Sequence, residues 1–160
     1  MNDAAVKDVF RRFPYGLCGV TVAHGGDEHG MTANWITQAS FEPPMVAVAV
    51  ENTSRTIGMI RDARYFAINL LQEGQRELAG KLARSSEQAP HKLKGIKTKP
   101  APASSAPIVA DALGWIECRL IATLPAGDHT LVLGEVVNGG LEHPDGRPLT
   151  LEGAGFTYAG

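Results

Sequence analysis

Two stretches, WIECRLIATL (residues 115–124) and TLVLGEVV (residues 130–137), joined by PAGDH (residues 125–129), decide the fold. β-branched and apolar residues dominate both arms, and the join carries Gly127 and Asp128, which suit a tight reversal. The whole reads as a long hairpin with a five-residue loop. Upstream, residues 17–24 are rich in Val and Thr and read as a strand, and GGDEHG (residues 25–30) reads as a turn. A second strand starts near Met31. Pro43 and Pro44 interrupt, and residues 45–50 form a buried-type strand with no polar face. Residues 65–71 are another strand, and Gly139-Gly140 reads as a turn.

Helical spacing shows in three places. Val6, Val9, Phe10 and Phe13 recur at helical intervals, with Asn2 or Asp3 as cap and Pro14 just beyond. Ser54 and Thr56 are capping residues for a short helix carrying Ile57, Met59 and Ile60. Residues 77–84 place Leu78 and Leu82 one turn apart. Many strands with few helices predict a mainly β chain, a closed or split β-barrel with helices packed outside.

Composition narrows the function classes. A chain of 160 residues suits one domain, spanning residues 1–160, that buries about 69% of its extended surface without disulfides or metals. The formal net charge is −2 and charged residues are 20%, which argues against nucleic-acid binding through bulk positive charge. The longest apolar run, residues 45–50, is far short of a membrane span. Residues 3–12 are too charged for a secretory signal, so a soluble cytoplasmic protein is expected. Cys18 and Cys118 sit in apolar contexts and read as reduced, buried thiols. None of the five histidines forms an i, i+4 pair, so no metal site is expected. Segment 85–107 holds four prolines and four lysines. It reads as a solvated loop or as a basic lid over an anionic ligand.

Three clusters carry candidate chemistry. GMTANWITQAS (residues 30–40) is strand-like but rich in neutral amides and hydroxyls: Thr32, Asn34, Thr37, Gln38 and Ser40. Such groups suit a large neutral heterocycle, and the small Ala33 and Ala39 let backbone approach a flat ring. An exposed strand with ordinary Thr content is the competing explanation. ENTSRT (residues 51–56) follows the buried strand where a helix begins, the usual seat of a phosphate. Plain capping explains it equally. Gly127-Asp128-His129 is either a hairpin turn with an exposed histidine or a barrel-mouth donor to a ligand. His29 and His143 lie in turns. No Walker, GxGxxG or GxSxG motif is present.

Residues 30–35, then Ser40-Phe41-Glu42-Pro43-Pro44, the buried strand, residues 51–56, FAINLL (residues 66–71) and Gly127-Asp128-His129 occur in that order. Together they resemble the flavin reductase family with the FMN-binding split-barrel fold of Greek-key type. The resemblance implies a homodimer with FMN or FAD near the subunit interface and NADH or NADPH as hydride donor. It implies Thr32, Ala33, Asn34 and Trp35 along the isoalloxazine, with Gln38, Ala39 and Ser40 beside its polar edge and Met31 as a further cofactor-binding residue. Ser54, Arg55 and Thr56 fall at the ribityl chain or phosphate, Lys92 is a second phosphate partner, and Glu51 and Asn52 are further cofactor-binding residues. His129, the one catalytic candidate, meets the nicotinamide. Asn34 departs from the Ser that many relatives carry, but still offers a donor and an acceptor. The implied activity is hydride transfer from nicotinamide to flavin, with reduced flavin passing to a monooxygenase. A flavoredoxin-like electron carrier with tightly bound FMN and a protein partner is the alternative. The tail Phe156-Thr157-Tyr158 is a candidate to close the site.

Overall fold

The computed structural model describes residues 2–158; residues 1, 159 and 160, the ends of the expected 1–160 unit, lie outside the described residues. Helix α1 (Asp3–Phe10) is followed by β1 (Cys18–His24), β2 (Asp27–Ala33), β3 (Ile36–Phe41) and β4 (Pro44–Glu51). Helix α2 (Arg55–Ala63), β5 (Tyr65–Leu70) and α3 (Arg76–Ala83) come next, then β6 (Thr98–Pro100), β7 (Pro107–Val109), β8 (Gly114–Ala126) and β9 (His129–Leu141). Seven strands form one antiparallel sheet in the order β2-β1-β5-β8-β9-β4-β3, and β6 with β7 form a separate pair.

This order places the site. β2 and β3 are the two edges of the sheet, yet only Asn34 and Trp35 separate them in the chain. Three residue steps reach at most about 11 Å. The sheet must therefore curl until its edges nearly meet, while no β2–β3 pairing closes it. The result is a mainly β, split-barrel architecture with a gap at the Asn34-Trp35 tether.

Valines on alternate positions, with Phe66, fill the interior: Val20 and Val22 of β1, Val48 and Val50 of β4, Phe66 of β5 and Val132 of β9. Helix α2 adds Ile57, Met59 and Ile60 to the same core. Gly134 lies under the Phe66 ring; a Cβ there would sit 2.6 Å from Phe66 Cζ. A second cluster joins Leu17, Leu71 and Ala79 to Leu149 and Ala154, which ties the C-terminal stretch to the barrel.

Several expectations need correcting. The 25–30 turn shrinks to Gly25-Gly26, both at positive φ (60° and 83°), the geometry a two-residue hairpin needs. Asp27 through Gly30 already belong to β2, so His29 is a buried strand residue, not a turn residue. The long hairpin turns at Gly127-Asp128, with Ala126 opposite His129, so His129 starts β9 and is buried. Gly139 and Gly140 lie inside β9, where Gly140 faces the Trp115 ring. Segment 85–107 contains β6 and reaches β7, and backbone hydrogen bonds such as Lys94 to His91 fold the rest into turns. The apolar stripe of α1 covers nothing: Val9, Phe10 and Phe13 are exposed, and no α1 residue is buried.

One buried carboxylate anchors that segment. Glu117 of β8 is fully buried and accepts from Ala103 N–H (3.1 Å), Ser104 N–H (2.7 Å), Ser104 Oγ (2.6 Å) and Asn138 Nδ2 (2.8 Å). Burial alone would raise its pKa. The bonds from Ser104, Ala103 and Asn138 outweigh that and hold it below the ordinary glutamate range.

Candidate active site in the barrel split

The split opens into a cleft of about 1090 Å³. One wall is β2 and the tether, from His29 and Met31 through Trp35. The floor is Ala49 and Glu51 at the end of β4, with Thr53 through Thr56 where α2 begins. The far wall is the end of α3, residues 84–87 and Lys92, and the tail residues Phe156, Thr157 and Tyr158 border the mouth. Thr32 Oγ1 donates to Ala79 O at 2.6 Å, fixing the β2 wall to α3.

Among the described residues, four buried side-chain polar atoms lack a hydrogen-bond partner: His29 Nδ1, Asn34 Nδ2, Ser54 Oγ and Thr56 Oγ1. All four residues line this cleft. Buried polar groups are nearly always paired, so a concentration of unpaired ones marks a place prepared for something else. A shallower recess of about 630 Å³ beside the Gly25-Gly26 turn contains none of these residues.

The two ends of the cleft differ. At one end the N-terminus of α2 presents its free N–H groups. Ser54 occupies the N-cap position in extended backbone (φ −74°, ψ 144°) but makes no side-chain cap bond, and Thr56 lies within the helix, so neither does the capping expected of it. Arg55 pairs with Asp27 across the sheet edge. Lys92 is buried and donates to Leu82 O at 3.0 Å; burial lowers its pKa. His29 is pushed down to about 4, by burial first and then by the charges of Lys92 and Arg55, with Asp27 opposing.

At the other end His129 is held on two sides. Its Nδ1 lies 2.7 Å from Asp128 Oδ1 and its Nε2 lies 3.0 Å from the Tyr158 hydroxyl. A carboxylate only accepts, so Nδ1–H donates to Asp128, while Nε2 shares a hydrogen bond with the Tyr158 hydroxyl. Trp35 packs against both, its ring centre 4.7 Å from His129 and 5.0 Å from Tyr158. The His129 contact holds the Asp128 carboxyl below its usual range. Burial, aided by the negative charges of Glu51 and Asp128, raises the Tyr158 hydroxyl.

Eleven of the fifteen expected site residues, Met31, Thr32, Ala33, Asn34, Trp35, Glu51, Ser54, Arg55, Thr56, Lys92 and His129, converge on the cleft. Gln38, Ala39, Ser40 and Asn52 do not line it. Gln38, Ala39 and Ser40 lie on edge strand β3, where the pairing shifts between Gln38 and Ser40 and the Gln38 amide turns back to Ser40 O (3.4 Å). Asn52 instead clamps the hairpin: its Nδ2 donates to Gly127 O (3.0 Å) and its Oδ1 accepts from Thr130 Oγ1 (2.7 Å). It therefore positions His129 without lining the cleft. The residue reasoning missed is His29, which shares with Met31 the period of two that puts both on one strand face.

The cleft suits a long ligand with a flat polar ring at the Trp35 end and an anionic group at the Lys92 end. Cys18 and Cys118 are free, buried thiols whose pKa burial raises to about 12, so they offer no nucleophile. No group of three or more His, Cys, Asp or Glu is placed to hold a metal among the described residues. Nor is any helix among them long and apolar enough to cross a membrane.

Residues 10–160 match the family described as flavin reductase like domain. The chain belongs to that family. It is 33% identical over 133 residues to the stachydrine N-demethylase reductase subunit of Rhizobium meliloti, covering 82% of this chain and 56% of that protein. It is 33% identical over 141 residues to an NADH:FMN oxidoreductase of Rhodococcus erythropolis, covering 87% of this chain and 71% of that one. Among solved structures, an NADH:FAD oxidoreductase of Streptomyces globisporus superposes with a TM-score of 0.86 at 28% identity, covering 96% of this chain and 90% of the other. The chain spans about half the length of the demethylase reductase subunit.

Proposed function

We propose that this chain is an NAD(P)H-dependent flavin reductase, a homodimer that reduces FMN or FAD and supplies reduced flavin to a monooxygenase. The observation that carries this reading is the gathering of all four unpaired buried polar atoms in one cleft of ligand size. They fit the group. Asn34 would pair with the ring's amide-like edge, while Ser54, Thr56 and the α2 N-terminus would hold the chain and phosphate. A flavin supplies the hydride chemistry itself, accepting at its N5. The side chains would then have only to bind, orient and exclude water. Met31 and Trp35 give apolar contact to a flat ring. His129, fixed by Asp128 and Asn52, presents Nε2 once Tyr158 withdraws, and that nitrogen is the donor or acceptor for a nicotinamide amide.

Related proteins support the donor and the partner. A flavin reductase solved with NADP+ and an oxidoreductase solved with NAD and FAD fragments share the architecture. Other neighbours are a nitrilotriacetate monooxygenase component B and the flavin reductase component of a two-component tryptophan halogenase.

The dimer rests on surface. The chain exposes 8982 Å², against roughly 7,700 Å² for a monomer of this mass. Register puts Ala47 and Ala49 of β4, Leu131 and Leu133 of β9, and Ala122 and Leu124 of β8 on one outward face. Leu124 and Leu131 are exposed there, and Ala49 also lines the cleft, so a second copy on this face would border the site.

The test is NADH and NADPH oxidation at 340 nm with added FMN, FAD or riboflavin. Flavin-dependent turnover is expected. A tightly yellow protein that turns over nicotinamide poorly would favour the electron carrier instead, and a protein that binds no flavin would end the reading.

A further inference from the structure

We propose that His29 is a phosphate-binding residue of the cleft and takes up a proton from solvent as the flavin's terminal phosphate seats beside it. This rests on the flavin reading of the site.

His29 is 2% exposed, and its Nδ1 has no partner. An unpaired buried polar atom is destabilising, and no neighbouring group among the described residues offsets it. The charged groups facing it are few. The segment after α3 contributes Lys92, α2 contributes Arg55, and its own strand contributes Asp27, which is already paired to Arg55. Strand β1 places Val22 directly opposite and no charge. A neutral imidazole thus sits between two cations, and burial together with those charges keeps it neutral near pH 7.

A phosphate monoester reverses each term. It brings acceptor oxygens to the unpaired ring and a charge of about −1.5 to −2. It meets Ser54 Oγ and Thr56 Oγ1, the other unpaired hydroxyls at this end, and the free N–H groups of the nine-residue helix α2. Negative charge beside the imidazole favours its charged form, so binding and proton uptake are linked.

The experiment is calorimetry of the full chain with FMN and with riboflavin, which lacks the phosphate, at pH 6 in two phosphate-free buffers of different ionisation enthalpy. Wild type is expected to take up more protons with FMN than with riboflavin. His29→Gln should lose most of that excess and bind FMN about fivefold more weakly. Its riboflavin affinity should be unchanged, which also reports an intact fold. The phosphate's own ionisation near pH 6 is common to both proteins, so their difference isolates His29. Equal proton uptake by wild type and variant overturns the proposal, as does equal affinity of wild type for FMN and riboflavin; both outcomes leave the flavin reading standing. Failure to bind either ligand overturns that reading and this proposal together.

Discussion

His129 is buried because the Ala126–His129 turn takes only two residues, so the strand begins at the imidazole itself. Its contacts make its role separable from flavin binding. His129→Ala is expected to raise the nicotinamide KM about three- to tenfold, the worth of one hydrogen bond, with flavin Kd unchanged; steady-state kinetics beside flavin titration checks both. Ser54 lies at the opposite end, with a hydroxyl that caps nothing. Ser54→Ala should weaken flavin by a similar factor and leave thermal stability unmoved, since no cap is lost; an unchanged flavin Kd would return Ser54 to a structural role. Gly134 tests the core instead. A methyl there would meet Phe66 and Cys118 at 2.6–2.9 Å, and Gly134→Ala should cost about 1–3 kcal/mol in denaturant unfolding. At this scale the sequence was legible where residue type and order carried the message, as in residues 30–35 and 51–56. It was opaque for His29 and Asn52, because burial and hydrogen-bond partners depend on strands far apart in the chain.

Among elements, the strands were read with bounds off by a few residues, and the errors share a cause. Gly and charged residues near 25–30 and at 139–140 read as turns, yet sheet pairing overrode local preference. The stretch 101–106 shows the converse. Prolines hid its order, which comes from one carboxylate on a distant strand. Glu117→Gln replaces an acceptor by a group that also donates, facing N–H groups of Ala103 and Ser104. It should cost roughly 2–3 kcal/mol and speed hydrogen exchange at residues 101–106. The sign with pH follows from the lowered pKa. The carboxylate's stabilisation is fully present above the unfolded value near 4.3 and is lost as pH falls through the lower folded value. The stability gap between wild type and variant should therefore be widest at neutral pH and narrow below about pH 4; a gap constant from pH 7 to 3 would refute the anchor.

For the whole molecule, the outward apolar face of β4, β8 and β9 leaves Leu124 and Leu131 exposed among the described residues. Leu131→Lys together with Leu124→Lys should convert the expected dimer to monomer in light scattering, with lower flavin affinity because Ala49 links face and cleft. A wild-type monomer would contradict it. The split barrel was legible from strand count and the ordered motifs, but the position of the split was not, since it depends on which strands end up at the sheet edges.

The tether of Asn34 and Trp35 has a mechanical consequence. A ring of seven strands clasped by two residues behaves as a spring clip: its jaws cannot spread at the clasp without unzipping β2 from β1 or β3 from β4. Compliance is confined to the opposite end, where helix α2 begins. A guest in the cleft would act as the missing rung between the jaws, stiffening strands it never touches.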